Sequence, residues 1–307
     1  MRKIVGYLTH YFRHECNKAY LVALMVFVAV CTYVAFFIIT EKQWIEVDPD
    51  HNQRLLKYIA GYGVVFGGAW LLQILFEPRE KSLRTPGLWA LIVMAVVLFS
   101  VRAWVYQYVP WVQANVLYAH QTVVQKIIIN LEGFLLLGIP CAVYWFFADR
   151  GRQPLYGFKT RGVTLWPYFI LLLGMMPLLL AASTQTDFQE AYPRAARLAI
   201  PPNDPQRGLL TAIYEVCYSI DFVVTEFFFR GFLILAFLKY AGHRAILPMC
   251  AFYVSIHFDK PLGEAISSFF GGLILGVLAY RTGSIYGGII VHLGIALAME
   301  VIGWWAR

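Results

Sequence analysis

The run Ala19-Tyr-Leu-Val-Ala-Leu-Met-Val-Phe-Val-Ala-Val-Cys-Thr-Tyr-Val-Ala-Phe-Phe-Ile-Ile-Thr40 contains no charged side chain. A hydrocarbon core about 30 Å thick is crossed by roughly 20 apolar residues, each rising about 1.5 Å along a helix. This stretch therefore reads as a transmembrane helix. It is too long for the apolar region of a cleavable signal peptide, which runs to about 15 residues at most. Further apolar runs recur near 58–76, 87–108, 127–148, 164–182, 210–238, 245–258, 264–280 and 284–304. Together they predict an all-α, polytopic transmembrane bundle with eight or nine spans, the count turning on whether 245–258, the shortest, crosses. The composition agrees. Of 307 residues 60% are hydrophobic and only 14% charged, against about 25% charged in an ordinary soluble domain.

The charge pattern speaks to topology. The formal net charge is +7, but no soluble basic domain is present to hold a nucleic acid, so that partner class is excluded. Lysines and arginines concentrate in 2–18, 79–84, 150–161, 239–244 and at Arg281, whereas 41–57, 110–126, 183–208 and 259–260 are mixed. By the positive-inside rule the N-terminus is expected in the cytoplasm. Membrane lipids are the surrounding partners, and the lack of a soluble appendage fits a bacterial inner (plasma) membrane. The five cysteines, Cys16, Cys31, Cys141, Cys217 and Cys250, show no CxxC or Cys/His spacing and read as apolar packing residues. The run Ile200-Pro-Pro-Asn-Asp-Pro205 stops any helix. It places a loop at 183–208 between an N-terminal transmembrane bundle of unassigned role, 1–182, and a C-terminal bundle, 209–307.

An ionisable side chain at mid-membrane costs at least about 2.5–3.5 kcal/mol on insertion scales, so several in one region need a reason. The segment Asp221-Phe-Val-Val-Thr-Glu-Phe-Phe-Phe-Arg-Gly231 sets Glu226 and Arg230 four apart, on one helical face and within pairing reach. Alone, such a pair is read as mutual neutralisation. Two histidines change the balance: His257 ends Phe252-Tyr-Val-Ser-Ile-His257, and His292 ends Gly287-Gly-Ile-Ile-Val-His292. Counted from the basic anchors Lys239, Arg244 and Arg281, the residues Glu226, His257 and His292 all lie roughly 17–20 Å deep. Glycines at 271, 272, 276, 283, 287, 288 and 294 provide for close helix contact. Arg102, Asn130, Glu132 and Glu300 are dispersed over several helices. They read as bridges between helices, or, in a transporter, as a substrate path.

These residues resemble the CAAX-protease and bacteriocin-processing (CPBP, or Abi) family of intramembrane proteases. The resemblance covers roughly 209–304. The family pattern, EExxxR, FxxxH and HxxxN on neighbouring helices, is met here by Thr225-Glu226-xxx-Arg230, Tyr253-xxx-His257 and His292-xxx-Ala296. In the family the first glutamate and the second-motif histidine activate a water that attacks a peptide bond, while the last histidine and asparagine stabilise the oxyanion. Carried over, His257 matches the base partner and His292 an oxyanion donor. Thr225 and Ala296 stand where the glutamate and the asparagine would be. Glu226, or Asp221 as a substitute acid one turn earlier, is the remaining candidate for the missing carboxylate.

The resemblance implies a CPBP-type endopeptidase (CAAX prenyl protease 2-like) that hydrolyses peptide bonds of a peptide or membrane-protein substrate with a Glu/His-activated water. The alternative it leaves open is a catalytically inactive family member acting as a membrane binding or scaffold protein. The family is metal-independent, and the two histidines lack the HExxH spacing of a helical zinc site. No cofactor and no metal are therefore expected.

Overall fold

The computed structural model describes residues 2–306, and every regular element among them is helical. Six helices are long and apolar enough to cross a membrane: α2 (Lys18–Ile38), α3 (His51–Phe76), the segment Pro86–Asn115, α6 (Tyr118–Ala148), α10 (Leu262–Thr282) and α11 (Tyr286–Trp305). Pro86–Asn115 is made of α4 (Pro86–Trp104) and α5 (Tyr108–Asn115). The remaining apolar stretches differ from full spans for physical reasons. The helix α7 (Trp166–Ala182) is shorter. The next, α8, runs over 207–236 and carries Glu215, Asp221, Glu226 and Arg230, while α9 (Ile246–Ser255) has ten residues. Ten residues rise about 15 Å, half a hydrocarbon core.

Local chemistry sets the helix ends. Asn17 caps α2 by accepting from the Tyr20 N–H at 3.2 Å, and Asp50 caps α3 by accepting from the Asn52 N–H at 2.8 Å, each satisfying an otherwise orphaned donor. Gly283 ends α10 in the left-handed conformation (φ 61°) and donates to the Ala279 carbonyl at 2.8 Å, a stop that suits glycine because it has no Cβ to clash.

The core is built around the C-terminal half. All ten residues of α9 are buried, as are all ten of Phe227–Ala236, the π-helical second part of α8. Against them lie α2, α3, α4, α6 and α10, so a single hydrophobic cluster joins residues from both halves of the chain. Its seam is aromatic. Phe66 of α3 stacks on Phe252 of α9 at 4.8 Å, and Phe99 of α4 meets Phe228, Phe229 and Phe252 at 5.6–5.7 Å. The outward faces are apolar too: Val22, Leu75, Leu178, Phe270 and Val301 are all exposed. In water such a surface would aggregate; in lipid it meets a matching solvent.

Two features lie in segments that the sequence marks only as connections. Residues 2–18 contain an amphipathic helix, α1 (Arg2–His10), whose Ile4 is buried against Tyr168, Leu275, Leu278 and Val291. The 183–208 connection is tied down at two points. Glu300 of α11 accepts the backbone N–H groups of Arg194 (2.8 Å) and Ala195 (3.1 Å). His120 of α6 contacts Asp204 at 2.6 Å and holds that carboxyl below its ordinary range.

Between α6 and α7 the chain dips back to the core at Tyr156 and Gly157, where α8 passes so close that a Cβ at Gly231 would stand 2.6 Å from the Tyr156 carbonyl oxygen. Backbone cannot yield as a side-chain tip can. The Gly231→Ala variant is expected to lose about 1–3 kcal/mol of stability by overpacking, read as a lower thermal midpoint in detergent; an unchanged midpoint would refute this contact.

Candidate active site

Glu226 closes the α-helical part of α8, and the π-helical part begins at the next residue. Such π segments recur at functional sites because they re-aim side chains relative to the preceding turn. Glu226 and Arg230 are both fully buried, with Arg230 Nη1 2.8 Å from Glu226 Oε1. The N–H direction misses the oxygen, so Nη1 makes an ion pair without an aligned hydrogen bond. The guanidinium lies 4.1 Å above the ring of Tyr253, a cation–π contact supplied by α9.

The same carboxylate oxygen is reached from α11. His292 Nδ1 is 2.8 Å from Glu226 Oε1, and the other ring nitrogen, Nε2, is 3.0 Å from the Tyr253 hydroxyl. A carboxylate accepts, so Nδ1 carries a proton. Glu226 is thereby fixed from two sides by Arg230 and His292. Its second oxygen, Oε2, has no hydrogen-bond partner and rests on Gly288, one helical turn before His292; a Cβ at Gly288 would overlap it.

His257 follows α9 directly. Its Nδ1 lies 2.8 Å from the Tyr253 carbonyl oxygen. A carbonyl oxygen only accepts, so Nδ1 must hold the proton, and in the neutral ring Nε2 keeps a free lone pair. The imidazoles of His257 and His292 flank the Tyr253 side chain, their ring centroids 4.8 and 5.9 Å from that of Tyr253.

Glu226, Arg230, His257 and His292 thus meet around Tyr253. Three other positions have separate surroundings. Asp221 pairs with Arg102 of α4 at 2.5 Å and packs over Gly133 of α6. Thr225 is buried next to Glu226, and Ala296 is sealed in an apolar cluster with Val123, Leu198, Tyr214 and Tyr218. The structure gives Tyr253, which the sequence marks only as the motif position before His257, contacts with Arg230 and His292, and it adds Gly288 to the site. Each stands four residues before one of the histidines, a spacing that puts it on the same helical face.

The arrangement joins a proton acceptor, a buried carboxylate–imidazole pair and a phenolic donor, the parts of general acid–base chemistry. Residues 209–298 match the family model described as Rce1-like, type II CAAX prenyl endopeptidase Rce1-like. Over this stretch the chain is similar to that family. The match takes in every residue of the cluster and leaves 1–208 outside it. No curated protein and no solved structure matches the chain.

In this stretch the buried pair is held by mutual neutralisation, which makes loss of one partner costly. Arg230→Met is expected to destabilise by about 3–5 kcal/mol because an uncompensated carboxylate stays buried. The double variant Glu226→Gln/Arg230→Met should recover much of that loss in a thermal or denaturant titration. If the two single losses simply add, the residues are not coupled as described.

Proposed function

We propose that this protein is an intramembrane endopeptidase of the CPBP type, similar to CAAX prenyl protease 2, that hydrolyses peptide bonds with a protein-activated water. The observation that carries this reading is the convergence of His257 and the Glu226–His292 pair on Tyr253 within the matched stretch. Residues 209–307 are the catalytic-core bundle in this proposal, 1–182 its scaffold and 183–208 the connecting loop. The polar helix α8 and the short α9 complete a count of eight or nine membrane segments. The N-terminus lies in the cytoplasm, and the membrane is a bacterial inner membrane.

In the mechanism His257 Nε2 takes a proton from water, and the resulting hydroxide attacks the scissile carbonyl carbon. The C–N bond then breaks, and His257 returns the proton to the leaving amine. Glu226 is not the base in this proposal, because Arg230 and His292 both hold its Oε1 while Oε2 is packed against Gly288; its role is to orient the His292 ring through Nδ1–H, as a buried aspartate does for the histidine of a serine protease triad. With both nitrogens of His292 protonated, Nε2–H donates to the Tyr253 oxygen. The phenol proton is then free to donate to the oxyanion. Tyr253 occupies the position where the family pattern has phenylalanine, so the extra hydroxyl supplies the donor lost at Ala296. The substrate is a peptide or membrane-protein segment that reaches the site from the lipid.

One observation favours the second reading, an inactive member acting as a membrane binding or scaffold protein. Thr225 takes no proton at neutral pH, and the carboxylate beside it is held at Oε1 by both Arg230 and His292.

Cleavage of a fluorogenic and membrane-peptide library by purified protein separates the two. The parent is expected to cleave, His257→Ala to lose about 10²–10⁴ of the rate, and Tyr253→Phe about 10²–10³. Silence in the parent with activity gained by Thr225→Glu supports the inactive reading. Equal rates for the parent and His257→Ala would falsify the peptidase assignment.

A further inference from the structure

A cavity of about 540 Å³ lies in the N-terminal bundle, walled by the start of α3, the end of α4 and the middle of α6. Pockets of this size hold small molecules. Its floor is Phe99, which rests on Phe228 and Phe229, so an aromatic layer divides it from Tyr253 and the residues around it.

Four charged residues line the cavity: Glu46, Arg54, Arg102 and Glu132. Arg102 is neutralised by Asp221. Glu46 is solvent-exposed. The remaining two face the cavity without an ionic partner. Glu132 is 7% exposed, its Oε2 has no hydrogen-bond partner, and no cation lies within ion-pair distance among the described residues. Arg54 donates to the Asp48 carbonyl oxygen and to the Tyr106 hydroxyl, both neutral acceptors, and the nearby Asp48 carboxylate is engaged by Lys57 at 2.7 Å. Were Glu132 and Arg54 adjacent, they would neutralise each other. The cavity keeps a buried carboxylate on α6 apart from a guanidinium on α3.

A buried carboxyl without a partner is costly unless something completes it, and half-buried Arg54 spends its donors on neutral acceptors only. We infer that this cavity is a binding site for a small zwitterion with an ammonium and a carboxylate group, of the size of a short peptide. The ammonium pairs with Glu132 and the carboxylate with Arg54, while Phe99 and Tyr58 contact the apolar part between them. A short peptide released by the endopeptidase activity has this chemistry, and that identification alone rests on the proposed function. Arg102 links the site to the catalytic helix, since it lines the cavity and holds Asp221 of α8, five residues before Glu226.

The test is direct binding of a radiolabelled Ala-Leu-Leu tripeptide with free termini to the full-length protein in detergent, by equilibrium dialysis. It needs no catalysis, so its outcome is independent of the cleavage assay. Saturable binding is expected, weakened about tenfold or more when the peptide is N-acetylated and, separately, when it is C-amidated. Glu132→Gln should reproduce the first loss and Arg54→Gln the second. Absence of saturable binding overturns the inference. So does binding that survives either blocked terminus undiminished, a result that needs no variant to fold.

Discussion

Everything near the middle of this molecule is arranged around one carboxylate and one guanidinium that have been taken out of water. Removing such ions from solvent costs several kcal/mol each even after relaxation, and their mutual attraction offsets this only if the geometry is good and the surroundings supply further partners. Glu226 and Arg230 have such surroundings. His292 adds a second contact to the same oxygen, and the Tyr253 ring covers the guanidinium. Gly288 leaves the space that the other oxygen fills. Remove the pair and the reasons for a glycine at 288, a histidine at 292 and an aromatic ring at 253 weaken together.

That dependence explains which parts were readable in the sequence. Runs such as 19–40 announce themselves because lipid demands uninterrupted apolar length, and the Glu226–Arg230 pairing follows from a spacing of four on one helix. Counting rise from the basic anchors set Glu226, His257 and His292 at one level, and the three do meet around Tyr253. Rotation was not readable. Whether Asp221 would face Thr225 or Arg102 depends on how α8 is turned against α4 and α6, and nothing in a single helix's periodicity fixes its angle to another. The change to π-helix after Glu226 adds to this, since a face extrapolated at 3.6 residues per turn fails once the winding changes. All ten side chains beyond it are buried. The short helix α1 escaped notice for a different reason: its charges mark a membrane flank, while its few inward residues, Ile4 above all, are too sparse to signal docking.

The two halves of the chain divide the labour by position. The helices that precede the long connection carry no recognised motif, yet Phe66 and Phe99 pack directly on α9 and on the π-helical part of α8. They form the wall behind the polar cluster. Arg102 then extends that wall's influence, since its partner Asp221 sits on the same helix as Glu226.

The brevity of α9 has a further electrical consequence. In the membrane placement proposed above, a helix of ten residues reaches about 15 Å, and the turn after it lies at a depth where non-helical backbone survives only if protein or water surrounds it. Water admitted there would leave only part of the bilayer thickness as an insulator. The rings of Phe66 and Phe99, the first stacked on Phe252 and the second edge-on to it, lie beside α9. Most of the membrane potential would then fall across the thinned insulator. With about 2.3 kcal/mol available per unit charge for each 100 mV, an ionised group beside these rings would, in that placement, sit where a change in cell energisation is felt most strongly.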